Sequence, residues 1–397
     1  MPSYLSPGVF VEEQDSGARP IEQVGTSTAG FVGTAPTDYG KGDAIPVDNY
    51  TQFLKLFVGD SKKSTDLVTA VKGFFDNQGT RCYIANIGDG EPINAGLDAL
   101  NLIDEIAIIA APGRIDQQSY NALLDAAESM KDRVAILDGP QTVDDVEQLT
   151  RVGTVSAPGD SGGKKQKPGM RCRNSDGGYG AFYFPWVLVP DLLAVVKPGD
   201  QVPLIPAPPS GFMAGLWAQS DATRGVHKAP ANMAIRGIAN GLTKVVSRAE
   251  HDVLNPAGVN VIRVFSREGI RVWGGRTVAP SASNWKYLNV RRLFAMIEES
   301  IAISTRWAIF EPNEKPLWND LKRDIGNFLR VLHSQGALAG DKPEQAFFVK
   351  CDRETNPPEI VDLGQVVVVI GIAPVKPAEF LIIRIGQSSA GTTVETL

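Results

Sequence analysis

The sequence predicts an α/β (α+β) chain of two units with a β-prone arm at each end. Strand-like and helix-like stretches alternate from about residue 26 to 190. A proline-rich connector at 198–209 then leads to a second unit containing two amphipathic helices. At both ends the chain carries short strand-prone stretches with no partner nearby in sequence. With 397 residues, 43% of them hydrophobic, there is material for more than one core.

Taken in order, residues 1–20 read as an arm. Pro2, Pro7, Gly8 and Pro20 interrupt a β-prone stretch of Val9, Phe10 and Val11 that runs into Glu12 and Glu13. A lone strand cannot satisfy its own backbone groups, so this one is expected to pair elsewhere. Strands are expected at 28–33, 81–87, 106–110, 134–137 and 180–189, all dense in apolar residues. Between them, helices are expected at 97–102 and at 119–131, where Leu123, Leu124, Ala127 and Met130 recur at helical spacing. A further helix is expected at 143–149 behind a Thr142 cap. Residues 153–178, rich in Gly, Ser, Lys and Pro, read as a mobile surface loop inserted into this unit. In the second unit the two helices are expected at 285–305 and 317–333. The latter places Leu317, Leu321, Ile325, Phe328, Leu329 and Leu332 on one face and Lys322, Arg323 and Arg330 on the opposite side. Two β-prone stretches, 366–372 and 380–385, precede a polar tail.

A formal net charge of −6 argues against a nucleic-acid binder, which needs a basic stripe to displace counterions from phosphate. Cys82, Cys172 and Cys351 are far apart and odd in number, so they form neither a disulfide framework nor a zinc pair. The opening MPSYLSPGVFVEEQ lacks the basic and apolar regions of a secretory leader, and the apolar run 366–373 is too short to span a bilayer. Synthesis in a reducing cytosol, with no membrane insertion, is the expectation.

The most tempting catalytic string is GDSGG at 159–163, centred on Ser161. A serine nucleophile needs a histidine base oriented by a carboxylate. His227, His251 and His333 all follow Ser161, which excludes the order His, Asp, Ser. The order Ser, Asp, His stays formally open, but that elbow sits between a strand and a helix, whereas Ser161 has Gly/Pro/Lys loop on both sides. A serine hydrolase around Ser161 is therefore the weaker alternative. Gly163-Lys164-Lys165 fails as a phosphate loop, because Pro158 stands where Gly is required and Lys165 where Ser or Thr should hold magnesium. No histidine has an acid or cysteine one helical turn away, so no metal site is expected. No cofactor is expected either.

Longer strings carry more information. "YLSPGVFVEE", "GYGAFYFPWVLV", "PPSGFMAGLWAQSDATRGVHKAPAN", "LNPAGVNVIRVF", "GIRVWGGRT", "NVRRLFAMIEESI", "FEPNEKPLWNDL", "GALAGDKPEQAFFVKCD" and "PAEFLIIRI" occur in this order. In sequence and order they resemble the phage tail sheath family over nearly the whole chain. The resemblance implies a non-enzymatic subunit of the contractile sheath around a rigid inner tube. It implies a shared core domain at 199–385, built mainly from the C-terminal half, and a variable outer α/β domain at 21–198 carrying the Gly-rich loop 153–178. It also implies exchange arms at 1–20 and 386–397. The expected partners are other copies of the chain in helical, sixfold-ring order, an inner tube protein, and baseplate and terminator or cap proteins. The particle would be assembled in the bacterial cytoplasm as a phage tail or contractile injection particle. A type VI-like sheath divides the role between two chains, whereas this one carries both arms.

From that resemblance, Val9, Phe10, Val11 and Glu12, together with Phe380, Leu381, Ile382, Ile383, Arg384 and Ile385, are expected to add strands to sheets of neighbouring subunits. The helix bearing Lys322, Arg323 and Arg330 is expected to face an acidic inner tube.

Overall fold

The computed structural model describes residues 19–153, 168–239, 241–380 and 382. Its centre is a nine-stranded sheet in the order β2-β3-β1-β4-β5-β6-β10-β11-β9. The strands are β1 (Ala29–Gly33), β2 (Ala44–Val47), β3 (Cys82–Asn86), β4 (Ile108–Ala110), β5 (Val134–Asp138), β6 (Gly180–Phe184), β9 (Met233–Ala234), β10 (Val259–Phe265) and β11 (Gly269–Trp273). Strands β3, β1, β4, β5, β6 and β10 run parallel, and antiparallel strands close both edges. The runs AGFVG, CYIAN, VAILD and GAFYF are buried at every position, as a parallel sheet covered on both faces requires.

Helices supply those covers. A short α1 (Tyr50–Phe53) precedes α2 (Asp66–Asp76), which packs on one face with α5 (Ser210–Arg224); α3 (Asn94–Asn101) and α4 (Gln117–Met130) pack on the other. Phe31, Ile84, Ile136 and Tyr183 point toward α2 and α5, while Val32, Ala85, Leu137 and Phe182 point the opposite way, the period of two built into a strand. The remaining helices are α6 (Arg248–Leu254), α7 (Leu288–Ser304), α8 (Lys315–Ser334), α9 (Pro343–Ala346) and α10 (Pro358–Asp362). Leu293, Met296 and Ile297 of α7 meet Ile325, Phe328 and Leu329 of α8 in a separate core. The hairpin-like pair β12 (Phe347–Lys350) and β13 (Val369–Ile372) packs against that core as a two-stranded sheet.

Three expectations change. The boundary expected at 198/199 falls inside a hairpin, because β7 (Val187–Pro190) pairs with β8 (Leu204–Ala207). The main sheet continues past it, with β10 beside β6, since α2 alone leaves one face open and α5 and β10 complete it. The helix expected at 143–149 is a 3₁₀ turn at Val146–Thr150, capped by the Asp145 carboxylate accepting from Glu147 N at 3.0 Å rather than by Thr142. Of the loop 153–178, the part at 168–178 is pinned. Arg171 bridges Val152, and Arg171, Cys172 and Ser175 are buried. Residues 154–167, with Ser161 and Lys164, lie outside the described residues.

The α2–α5 contact depends on missing side chains. A Cβ on Gly73 would stand 2.7 Å from the Phe212 ring, one on Gly215 2.5 Å from the Phe74 carbonyl, and one on Gly211 inside the Ala70 backbone. Gly211→Val should therefore lower the unfolding free energy by about 3 kcal/mol, read as a shift of the urea midpoint. Unchanged stability would show that the two helices can separate without cost.

Candidate assembly surface

In an open, doubly wound sheet a ligand would sit in the crevice at the carboxyl ends of the strands. Here the protein's own side chains occupy that crevice. Asp138, at the end of β5, accepts from Ser210 N at 2.7 Å, Ser210 Oγ at 2.8 Å and Gly113 N at 3.1 Å. It thereby satisfies the start of α5 and ties it to the sheet. Asn86, at the end of β3, accepts from Ala35 N at 3.0 Å and donates to Thr37 O at 2.8 Å and Tyr39 O at 3.1 Å. Burial pushes the Asp138 carboxyl up to about 7, against the pull of its hydrogen bonds. The chemistry at this switch point is structural.

The histidines are dispersed. His227 follows α5, His251 lies in α6 and His333 in α8, where its Nε2 is 2.8 Å from Gly340 O. The acid beside His251, Glu250, forms a capping box with Ser247. Among the described residues no group of three or more metal-capable side chains occurs, and no helix is long and apolar enough to cross a membrane.

Two segments, residues 19–26 and 375–379, are fixed to the body by side chains. Residues 19–26 cross α7 and α8 as a strap. Val24 N donates to Ser300 Oγ at 3.0 Å and Glu22 N to Ser304 Oγ at 3.3 Å, while the Arg19 guanidinium stacks 4.2 Å over Trp307. Arg292 of α7 grips Asp221 of α5 with two bonds of 2.9 and 2.5 Å and donates a third, 3.0 Å, to Thr26 O. Thr26 Oγ1 donates to the same Asp221 at 2.6 Å. Arg292 and Asp221 are 3% and 7% exposed, and the guanidinium lies over the Trp217 ring. At the other end, Arg276 holds Glu379 bidentately at 2.7 and 2.6 Å, and Asn255 Nδ2 donates to the same carboxylate at 2.9 Å. Asn289 Nδ2 donates to Val375 O at 3.0 Å.

Of the residues expected to act in assembly, Val9, Phe10, Val11, Glu12, Leu381, Ile383, Arg384 and Ile385 lie outside the described residues. Phe380 and Ile382 are exposed and in no strand. On α8 the apolar face is buried as expected, and Lys322 and Arg330 are exposed. Arg323 is engaged differently. It bridges Asp320 at 2.8 Å and Asp324 at 2.9 Å, and the buried Asp324 accepts from Arg19 N at 3.4 Å. The sequence reading missed Arg292, Asp221, Arg276 and Glu379. A signal was present: NVRRLFAMI puts two arginines inside an apolar helical run, where each needs a buried partner.

A body with clamped ends and a filled crevice has the architecture of a structural subunit. Residues 89–278 match the family model of the phage tail sheath protein central domain, and residues 281–388 that of the phage tail sheath C-terminal domain. The chain belongs to the phage tail sheath protein family. It is 27% identical over 284 residues to a prophage major tail sheath protein of Pseudomonas aeruginosa strain UCBPP-PA14, covering 68% of this chain and 62% of that one. It is 32% identical over 181 residues to the tail sheath protein of Salmonella phage ViI, covering 45% of this chain and 27% of the relative. The chain thus spans between about a quarter and three fifths of these curated relatives. Among solved structures, the PVC sheath complex of an extracellular contractile injection system in the contracted state matches with TM-score 0.76 and 28% identity, over 98% of this chain and 99% of that one. The contracted helical sheath of the anti-feeding prophage matches with TM-score 0.73 and 29% identity, over 96% and 99%.

Two outcomes follow from the clamp and its surroundings. Asp221→Ala leaves Arg292 buried and uncompensated and should cost about 3–5 kcal/mol in urea unfolding; a loss under 1 kcal/mol would mean the pair is dispensable. Glu299 of α7 faces Asp132 and Asp104, and burial, then these charges, raise its carboxyl to about 7. The folded state then holds a proton that the unfolded state releases, so stability should fall as pH rises from about 4.5 to 7 and level off above. Asp138 contributes over the same window, so Glu299→Gln should make that part of the thermal-stability profile shallower; a superimposable profile would remove Glu299 as one of its sources.

Proposed function

We propose that this chain is the repeating subunit of a contractile sheath, polymerising helically in sixfold rings around an inner tube and shortening to drive that tube through a target envelope. The observation that carries the proposal is the pairing of clamped roots with strand-prone ends. Arg292–Asp221–Thr26 and Arg276–Glu379 hold residues 26 and 379 to the body, and the arms would leave from near these points. An acceptor lies close by in the same body. The sheet of β12 and β13 has only two strands among the described residues, so each strand keeps an unpaired edge. Two strands alone are marginal in water, and each edge offers a row of free donors and acceptors. Val9–Glu12 of one neighbour and Phe380–Ile385 of another would add to such edges. Each backbone bond contributes about 0.5–1.5 kcal/mol net, several per strand, repeated in every copy.

The resemblance in amino-acid order and the match to solved sheaths of two injection systems support this reading. Contraction would exchange one packing of the bodies for another that buries more surface, with the arms as tethers, so that no nucleotide is consumed. Lys322, Arg323 and Arg330 on α8 would face acidic groups of the tube in the extended state, weakly enough to let go. Baseplate and cap proteins would close the two ends of the stack. The particle would be assembled in the bacterial cytoplasm, and the chain would perform no catalysis.

Negative-stain electron microscopy of the purified chain at high concentration tests the central claim. Striated hollow tubes are expected, and deletion of residues 1–18 should leave monomers. Persistent monomers of the intact chain would overturn the arm-exchange mechanism. In whole particles, combined charge reversal of Lys322, Arg323 and Arg330 should leave contracted sheaths only; normal extended particles would refute the tube contact.

A further inference from the structure

Five glycines lie inside helices of eight or more residues among the described residues: Gly73, Gly96, Gly211, Gly215 and Gly326. The first four are explained by packing, since an added Cβ would collide with Phe212, Val32, the Ala70 backbone and the Phe74 carbonyl respectively. Gly326 is different. It sits in the middle of the 20-residue α8, and a Cβ there would meet no described residue within 4 Å. Its backbone φ is not in the left-handed region, so conformation does not demand glycine either. Glycine is the least helix-favouring residue after proline. Nothing among the described residues compensates for that.

The surroundings of Gly326 have a defined chemistry. Lys322 and Arg330 stand one turn to either side, at i−4 and i+4, and both are exposed. Neither makes an ion pair among the described residues, although Arg330 Nη1 donates to Asn327 at 2.7 Å. The stripe is thus a strip of bare helix backbone between two cations whose anchor points are about 12 Å apart along the axis, from the 1.5 Å rise per residue.

We propose that Gly326 is a close-approach point, where an acidic segment of the inner tube lies against the α8 backbone and places carboxylates on Lys322 and Arg330. The proposal rests on the reading of α8 as the tube-facing element and adds a steric requirement to it. Charge complementarity selects the acidic occupant, and the absence of a side chain at 326 lets it come near enough for both pairs to form. Contacts of this kind, solvent-exposed at the rim, hold weakly and are screened by salt, which suits a grip that must release on contraction.

The test separates folding from docking, because substitution at 326 should improve one and impair the other. Gly326→Ala and Gly326→Gln are expected to raise the melting midpoint by about 1–3 °C. Both should weaken co-sedimentation of the full chain with the particle's own inner tube by about tenfold, with Gln the worse of the two. Lys322→Glu combined with Arg330→Glu should abolish co-sedimentation without moving the midpoint. If the charge reversal abolishes binding while both Gly326 variants bind normally, the close approach is wrong and the tube-facing reading stands. If the charge reversal leaves binding intact, both ideas fall together. A midpoint lowered by Gly326→Ala would show that the glycine serves the fold, and would also overturn the proposal.

Discussion

The buried pair of Arg292 and Asp221 ties together parts of the chain that sequence keeps far apart. Arg292 belongs to α7, Asp221 to α5, and the third partner, Thr26, to the strap of residues 19–26. Taking two charges out of water costs several kcal/mol each, and such a pair is retained only when its geometry and extra hydrogen bonds offset that cost. Here one bidentate contact of two bonds, a backbone carbonyl, a threonine hydroxyl and the Trp217 ring hold it. Trp217 in turn donates to Tyr183 of β6 at 3.1 Å, so the clamp continues into the central sheet. The strap is thereby tied to the core rather than to a loose loop.

The same logic explains what fills the centre of the molecule. A doubly wound sheet creates a polar crevice where helix starts converge on strand ends, and something must satisfy the exposed N–H groups. Asp138 and Asn86 do so from within. The held segments 19–26 and 375–379, the two-stranded sheet of β12 and β13 and the exposed side of α8 all lie outside that crevice. A sheath subunit needs a body that does not deform and edges that join. The distribution of buried polar groups meets both needs.

Much of this was legible in the sequence, for a definite reason. Strands such as VAILD and GAFYF are short, continuous apolar runs, and α8 repeats its leucines every three or four residues; these local periods map directly onto burial. What escaped was whatever depends on residues meeting across the fold. The boundary at 198/199 looked like a linker because prolines cluster there, yet β10 returns to pair with β6. Residues 168–178 looked like loop because they lack periodicity, yet Cys172 and Ser175 are fully buried by contacts that no local pattern encodes. Arg323 looked solvent-facing on a helical wheel, and two neighbouring aspartates claim it.

The sequence by itself determined the α/β alternation, the amphipathic helices, the strand-prone ends and, through the order of its longer strings, the family. These are properties of short windows, where side-chain period and backbone preference act over a few residues. The tertiary structure alone decided that one sheet spans both expected domains, that glycines 73, 211 and 215 let α2 and α5 touch, and that Arg292 and Arg276 hold Thr26 and Glu379 to the body. A buried charge or an absent side chain has meaning only beside its partner, and that partner can stand hundreds of residues away.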